Sequence, residues 1–210
     1  MAAPDDNLFD CNKPNLWLPY FLDAEKDMEP QWVQHIWPHI HDFDFTCGLE
    51  LSPGGGRNTS RLVKHAKELH LVDFNQYAIT LCRFRFMDYT GPCRLHFHVN
   101  DGKSLAMIAD GSVTFCYSWD SAVHFDKEIV SAYIREFARV LKPRGRAFLH
   151  HSNLGTAASV KIRDNPAWRS NMDAARAKQE AEASGLRVLQ QTLFAWGQPD
   201  MDCISVFEKL

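Results

Sequence analysis

The sequence predicts an α/β fold: a doubly wound, mostly parallel sheet of seven strands, with an antiparallel last strand and an N-terminal helical lid. Three observations predict it. From Phe45 onward, apolar strand-like runs alternate with helical ones, at spacings that suit parallel strands joined by crossover helices. A glycine-rich turn, Ser52-Pro-Gly-Gly-Gly-Arg57, separates the first strand from the first helix. The last two strands are joined by the short turn Gly197-Gln198-Pro199-Asp200, which favours antiparallel pairing. A chain of 210 residues with 45% hydrophobic side chains buries an adequate core without disulfide or metal.

Residues 1–44 form an aromatic-rich extension carrying Trp17, Tyr20, Phe21, Trp32 and Trp37 with His35, His39 and His41. Within it, Gln31 to Ile36 reads as a short helix stopped at Pro38. It either packs on the edge of a domain spanning 45–210, or forms a lid that lends Trp32 and Trp37 to a substrate pocket. Phe45 to Leu51 is the first strand, and Asn58 is placed to cap a helix through about Leu69. His70 to Asp73 is the second strand, and Asn75 caps a helix reaching Phe86. Leu95 to Val99 and Val113 to Tyr117 follow as strands, with Asp101-Gly102 turning the first of them.

Asp126 opens a helix whose Ile129, Val130, Tyr133, Ile134, Phe137, Val140 and Leu141 recur at helical spacing. Lys142-Pro-Arg-Gly145 ends it before a strand from Arg146 to His150. A long loop, Leu154 to Asn171, precedes a helix from Met172 to Ser184 ended by Gly185. Leu186 to Trp196 and Cys203 to Phe207 complete the sheet.

Composition removes several functions. Twenty-three basic against 26 acidic side chains give a net charge of −3, without the basic footprint of a nucleic-acid binder. No apolar run approaches a membrane span, and Met1 to Asp10 is polar and acidic, unlike a signal peptide. The six cysteines are scattered with no C-x-x-C pair, so a reducing cytoplasm is expected. A small molecule is the expected partner.

The glycine turn is the first functional signal. Backbone there turns sharply and lets a ligand approach without a β-carbon in the way, and Asp73, at the next strand end, is placed for a ribose. A nicotinamide dinucleotide and S-adenosylmethionine both suit such a half-site. Thr59 stands where a third dinucleotide-loop glycine would fall, and no Tyr is followed four residues later by Lys. An NAD(P)-dependent oxidoreductase is therefore the lesser alternative.

Leu49-Glu-Leu-Ser-Pro-Gly-Gly-Gly56 resembles motif I of the class I S-adenosylmethionine-dependent methyltransferases. Leu71-Val-Asp-Phe-Asn75, Asn100-Asp-Gly102, Ser112 to Asp120 and Ala138 to Ala147 are similar to that superfamily's following motifs, in its order. The resemblance covers roughly Phe45 to Leu210 and implies a Rossmann-like sheet that binds S-adenosylmethionine. It assigns the cofactor to Glu50, Gly54, Gly55, Gly56, Asp73, Phe74, Asn75, Asp101, Gly102, Ser118 and Trp119. One departure is Arg144, which replaces the first glycine of the usual turn before the fifth strand. Tyr117 to Asp126 and Phe148 to Asn153 also resemble bacterial sugar and small-molecule O-methyltransferases.

Methylating an alcohol calls for a general base near the carboxyl ends of the strands. Asp120 and His124 follow the fourth strand; His150, His151, Ser152 and Asn153 follow the fifth. Adjacent strand residues face opposite sides, so only one of His150 and His151 serves the site. His151 is the expected base, oriented by His124 or Asp120; the same histidines would equally serve as hydrogen-bonded pocket walls. Trp32, Trp37, Asn153, Trp168 and Arg169 are the expected acceptor contacts.

A divalent ion on Asp120, His124, His151 and Asn153 is the less favoured arrangement, because a hard ion prefers more oxygen ligands. His96-Phe-His98 reads as structural on an edge strand, and no metal is expected. Small-molecule N-methylation and a non-catalytic nucleoside-binding protein remain further alternatives.

Overall fold

The computed structural model describes residues 19, 21–159 and 161–210; Cys11, Trp17 and Tyr20 lie outside them. Seven strands form one sheet in the order β3-β2-β1-β4-β5-β7-β6. They are β1 (Gly48–Leu51), β2 (Glu68–Asp73), β3 (Arg94–Val99), β4 (Val113–Ser118), β5 (Leu141–Ser152), β6 (Leu186–Phe194) and β7 (Asp202–Lys209). The first five pair in parallel, and β7 runs antiparallel to both β5 and β6. Strand order reverses between β1 and β4, which opens a crevice above their carboxyl ends.

Side-chain alternation along the strands builds two cores. Leu49, Leu51, Cys116, Leu149 and Phe207 pack with α5 (Lys127–Val140) and α6 (Ala174–Ala183) through Val130, Ile134, Phe137, Ala177 and Ala181. On the other face, Leu69, Leu71, Tyr117, Phe148 and Ile204 pack with Cys82 of α4 (Gln76–Arg85) and with Met28, Trp32, Ile36 and Ile40. Those last four belong to one continuous helical segment: α1 (Met28–Gln31), a π turn (Trp32–Ile36) and α2 (Trp37–Ile40). The expected stop at Pro38 does not occur. Pro38 has no N–H to donate, and the chain widens into the π turn, closed by Trp37 N–H on the Trp32 carbonyl.

Other boundaries moved for local reasons. The first crossover helix shrinks to α3 (Thr59–Leu62), and Asn58 is itself helical (φ −73°, ψ −37°) rather than a side-chain cap. Asn75 does cap α4, accepting hydrogen bonds from Tyr77 and Ala78 N–H. Arg144 takes the left-handed backbone of the glycine it replaces (φ 65°), a conformation that costs a non-glycine residue about 1–2 kcal/mol. Between β3 and β4 there is no helix, only turns. The five described cysteines are free thiols, and no described helix is long and apolar enough to cross a membrane.

Candidate active site

A cavity of about 270 Å³ opens at the carboxyl ends of β1, β2 and β4. Ser52 and Asp120, just beyond β1 and β4, both have left-handed backbone (φ 56°), and Ser121 Oγ donates to the Ser52 carbonyl at 3.2 Å. Non-glycine residues held in this conformation cluster at functional sites, where the surrounding structure enforces them.

One end of the cavity is formed by Gly54, Asp73, Phe74, Asn75 and Ala78. The Asp73 carboxylate accepts from Asn75 N–H at 2.9 Å and Gly54 N–H at 3.4 Å, and burial pushes its pKa up to about 6. Asn75 Nδ2 is buried beside it without a hydrogen-bond partner. Gly54 adopts φ +56°, and a β-carbon there would come within 2.8 Å of the Phe21 ring, which roofs the loop. Gly55 faces a smaller adjoining hollow. Gly56 turns away, its β-carbon position 3.0 Å from Cys82 Sγ.

The remaining expected cofactor residues stand outside the cavity lining. Glu50 is buried behind the loop, accepts from Thr59 Oγ1 at 2.6 Å, and is pushed by burial up to about 8. Asp101 is exposed and accepts from the N–H groups of Lys103 and Ser104, while Gly102 packs beside Phe74. Ser118 is buried with its hydroxyl unpartnered. Trp119 is also buried, donating from Nε1 to Gln31 Oε1 at 2.9 Å.

The other end is formed by Asp120, Ser121, His124, Phe125, Ile162 and Trp168. Left-handed backbone at Ala167 and Trp168 (φ 43° and 54°) shapes the loop that brings the indole there. His124 Nδ1 lies 2.9 Å from the Trp168 carbonyl, and burial pushes the ring's pKa below its ordinary value.

His151 does not reach this cavity. It points to the opposite face of the sheet, fully buried, with Nδ1 2.8 Å from the Ser152 carbonyl and Nε2 2.8 Å from Ser205 Oγ. Burial lowers it to about 4. His150, one residue earlier, points to the other face, where it is equally buried against Trp119 and Phe194, and neither histidine lines the cavity. Asn153 ties loops together, donating to the Asp200 carbonyl and accepting from Ala174 N–H. The four-residue metal arrangement therefore does not assemble.

Trp32 and Trp37 are corrected as well. They stack on each other and on His65, inside the second core rather than over the cavity. Arg169 is buried and held bidentately by Asp202 (2.8 and 2.7 Å) with its guanidinium over Trp196. It serves the wall from behind.

Sequence reasoning missed the network that this arginine belongs to. Asp202 also accepts from His150 Nε2 at 3.0 Å, and His150 Nδ1 accepts from Asp120 N–H at 3.1 Å. Burial alone would raise the Asp202 pKa, but the hydrogen bonds from His150 and Arg169 outweigh it and hold the carboxyl below its ordinary value. Arg57 extends the network, donating to Asp120 Oδ2 at 2.7 Å and to the Ala24 carbonyl at 2.7 Å. Arg57 follows the glycine triad directly, which is a readable signal. The His150–Asp202 pair spans the antiparallel β5–β7 register and has no local signature.

Residues 49–145 match the family model of the methyltransferase domain. Over that span, a little under half of the chain, it is similar to the S-adenosylmethionine-dependent methyltransferases, and it shares their fold. The match favours S-adenosylmethionine over the dinucleotide alternative. No curated protein sequence matches significantly. Among solved structures, a methyltransferase from Aquifex aeolicus is similar at TM-score 0.64 and 14% identity, over 95% of this chain and 98% of that one. A methyltransferase from Clostridium acetobutylicum gives 0.62 and 12%, over 88% and 90%. The [4+2]-cyclase SpnF gives 0.68 and 15%, over 89% and 80%. At these identities the likeness concerns the fold, and the cyclase shows that the fold is not confined to methyl transfer.

The crevice fits S-adenosylmethionine through its own residues. Asp73 is a buried carboxylate in the cavity wall, suited to a vicinal diol, and Asn75 Nδ2 is an orphaned donor beside it. Gly54 supplies backbone without a side chain at the cavity's edge. Asp73, Asn75, Phe74 and Gly54 would hold the cofactor.

Proposed function

We propose that this chain is an S-adenosylmethionine-dependent methyltransferase that acts on a hydroxyl of a small-molecule acceptor, saccharides included, with His124 taking the proton. When bound, the cofactor supplies an electrophilic methyl group. The observation that carries the reading is the His124 ring, set in the same cavity as Asp73 and Gly54, with Nδ1 2.9 Å from the Trp168 carbonyl. A carbonyl only accepts, so the neutral ring carries its proton on Nδ1 and its lone pair on Nε2. Burial keeps the ring unprotonated at neutral pH. A neutral imidazole in a cavity wall is suited to deprotonating an alcohol as the new bond forms.

Asp120 is paired with Arg57 at 2.7 Å, which suits it to orienting rather than to accepting the proton. Trp168, Phe125 and Ile162 offer an apolar wall for an acceptor ring. The base role expected of His151 thus passes to His124.

His124→Asn should lower kcat by about 10²–10⁴-fold on the true acceptor, with cofactor affinity unchanged. The assay follows methyl transfer to a panel of sugars, phenols and amines. Turnover on amines alone, or near-normal turnover of a hydroxyl acceptor by the variant, would defeat the proposal.

A further inference from the structure

We propose that the open face of the β2–β3 rim binds one divalent transition-metal ion, zinc(II) first among them, on Cys47, Glu68, His70 and His96, with His98 orienting His70. Nothing in the methyl-transfer site uses these residues. Glu68 opens β2 and Asp73 closes it, so the two sites lie about 16 Å apart along the strand.

The fold brings the donors together. His70 pairs with His96 across β2 and β3, and Glu68 with Arg94. Leu49 pairs with His70, so Cys47, two residues earlier on the same face, falls beside Glu68. With no helix between β3 and β4, this side of the sheet rim stays partly exposed, and it is polar where a covered sheet would be apolar.

Geometry narrows the role. One ligand atom from each of Cys47, Glu68 and His70 lies within 4.8 Å of the other two. Donors on one tetrahedral zinc sit about 3.3–3.8 Å apart, so a side-chain rotation of about 1 Å closes the set. His96 Nε2 lies 2.9 Å from Glu68 Oε1, yet it is buried and makes no aligned hydrogen bond. At 2.9 Å the two atoms are closer than co-ligands of one zinc, so His96 joins the set by rotating back from Glu68 by about 0.5 Å.

Arg94 holds the other carboxylate oxygen, Oε2, at 2.6 Å and leaves Oε1 turned toward the histidine. His70 Nδ1 lies 3.1 Å from His98 Nε2, the outer-sphere contact that fixes a ligating ring's tautomer. A thiolate, a carboxylate and two neutral imidazoles balance a divalent charge and suit zinc.

The test uses the whole chain stripped with a chelator. Zinc(II) is titrated against a chromogenic competitor, and cobalt(II) is followed by its thiolate-to-metal absorption. One equivalent should bind and raise the denaturation midpoint. Cys47→Ser should abolish the thiolate band. His96→Ala should weaken binding by at least about 100-fold, and His98→Ala by about 10- to 100-fold. Exposed His41 is the control, and His41→Ala should change nothing. Should His96→Ala fail to fold, Cys47→Ser read by cobalt carries the same decision. Zinc bound equally by the wild type and the Cys47 and His96 variants, or cobalt bound without a thiolate band, overturns the assignment. No activity is measured, so the outcome is separate from the proposed reaction.

Discussion

At the scale of single residues, two histidines with lowered pKa values do different work. His124 shares a cavity with Asp73 and Asp120, and its low pKa keeps a base unprotonated. The acid limb of kcat/KM should therefore lie below pH 6.5, and it should vanish in His124→Asn. His151 titrates against stability instead. Its folded value of about 4 is below the ordinary 6.5, so between those pH values the unfolded chain binds a proton that the folded chain refuses. Stability contributed by the neutral ring is complete above 6.5 and lost as pH falls toward 4, about 3 kcal/mol in all. Urea midpoints measured from pH 7 to 4 should fall less steeply in His151→Gln than in the wild type. Parallel slopes would remove His151 as the cause. His151 was named from the sequence by its nearness to a strand end, but it is enclosed between β5 and β7 and does not reach the cavity.

At the scale of elements, the N-terminal segment carries more of the core than its sequence implies. Met28, Trp32, Ile36, Ile40 and Phe43 are buried in the second core, under the sheet face formed by Tyr117 and Phe148. At about 1.5–3 kcal/mol for each buried side chain, their removal costs on the order of 7–15 kcal/mol. That equals the whole stability of an ordinary domain, about 5–15 kcal/mol. Deleting residues 1–44 should leave a chain without a cooperative unfolding transition in near-ultraviolet circular dichroism. A truncated chain that melts cooperatively would restore the lid reading. Among the described residues of the segment, Phe21 reaches the cavity, over Gly54, assisted by Arg57 on the Ala24 carbonyl. Aromatic residues at helical spacing look alike whether they face a core or a substrate, which is why Trp32 and Trp37 misled.

At the scale of the whole molecule, the reversal of strand order between β1 and β4 places Asp73 and Gly54 in one crevice with His124 and Asp120. Asp73 closes β2 in that crevice and is the residue on which cofactor affinity should depend most directly. Asp73→Asn keeps an oxygen for the Gly54 and Asn75 N–H groups but loses the charge. It should weaken S-adenosylhomocysteine by about 1–3 kcal/mol, roughly 5- to 160-fold, in isothermal titration. An unchanged affinity would take Asp73 out of the site. The same topology leaves the β2–β3 rim without a covering helix, which is the setting of the proposed zinc site.

The sequence by itself determined the strand–helix alternation, the antiparallel tail, the glycine turn, the Asn75 cap and the acid at the end of β2. Each is written in residues close together, through periodicity, turn chemistry or a local hydrogen bond. Tertiary structure alone decided that His124 and not His151 lines the cavity, because the chain after β4 turns into the crevice while His151 is enclosed against Ser205 of β7. It alone joined His150 to Asp202 and Arg57 to Asp120, groups brought together by strand register and by the return of the chain. It also decided that Trp32 and Trp37 fill a core, since burial depends on what the rest of the chain lays against a helix, and no local pattern records that.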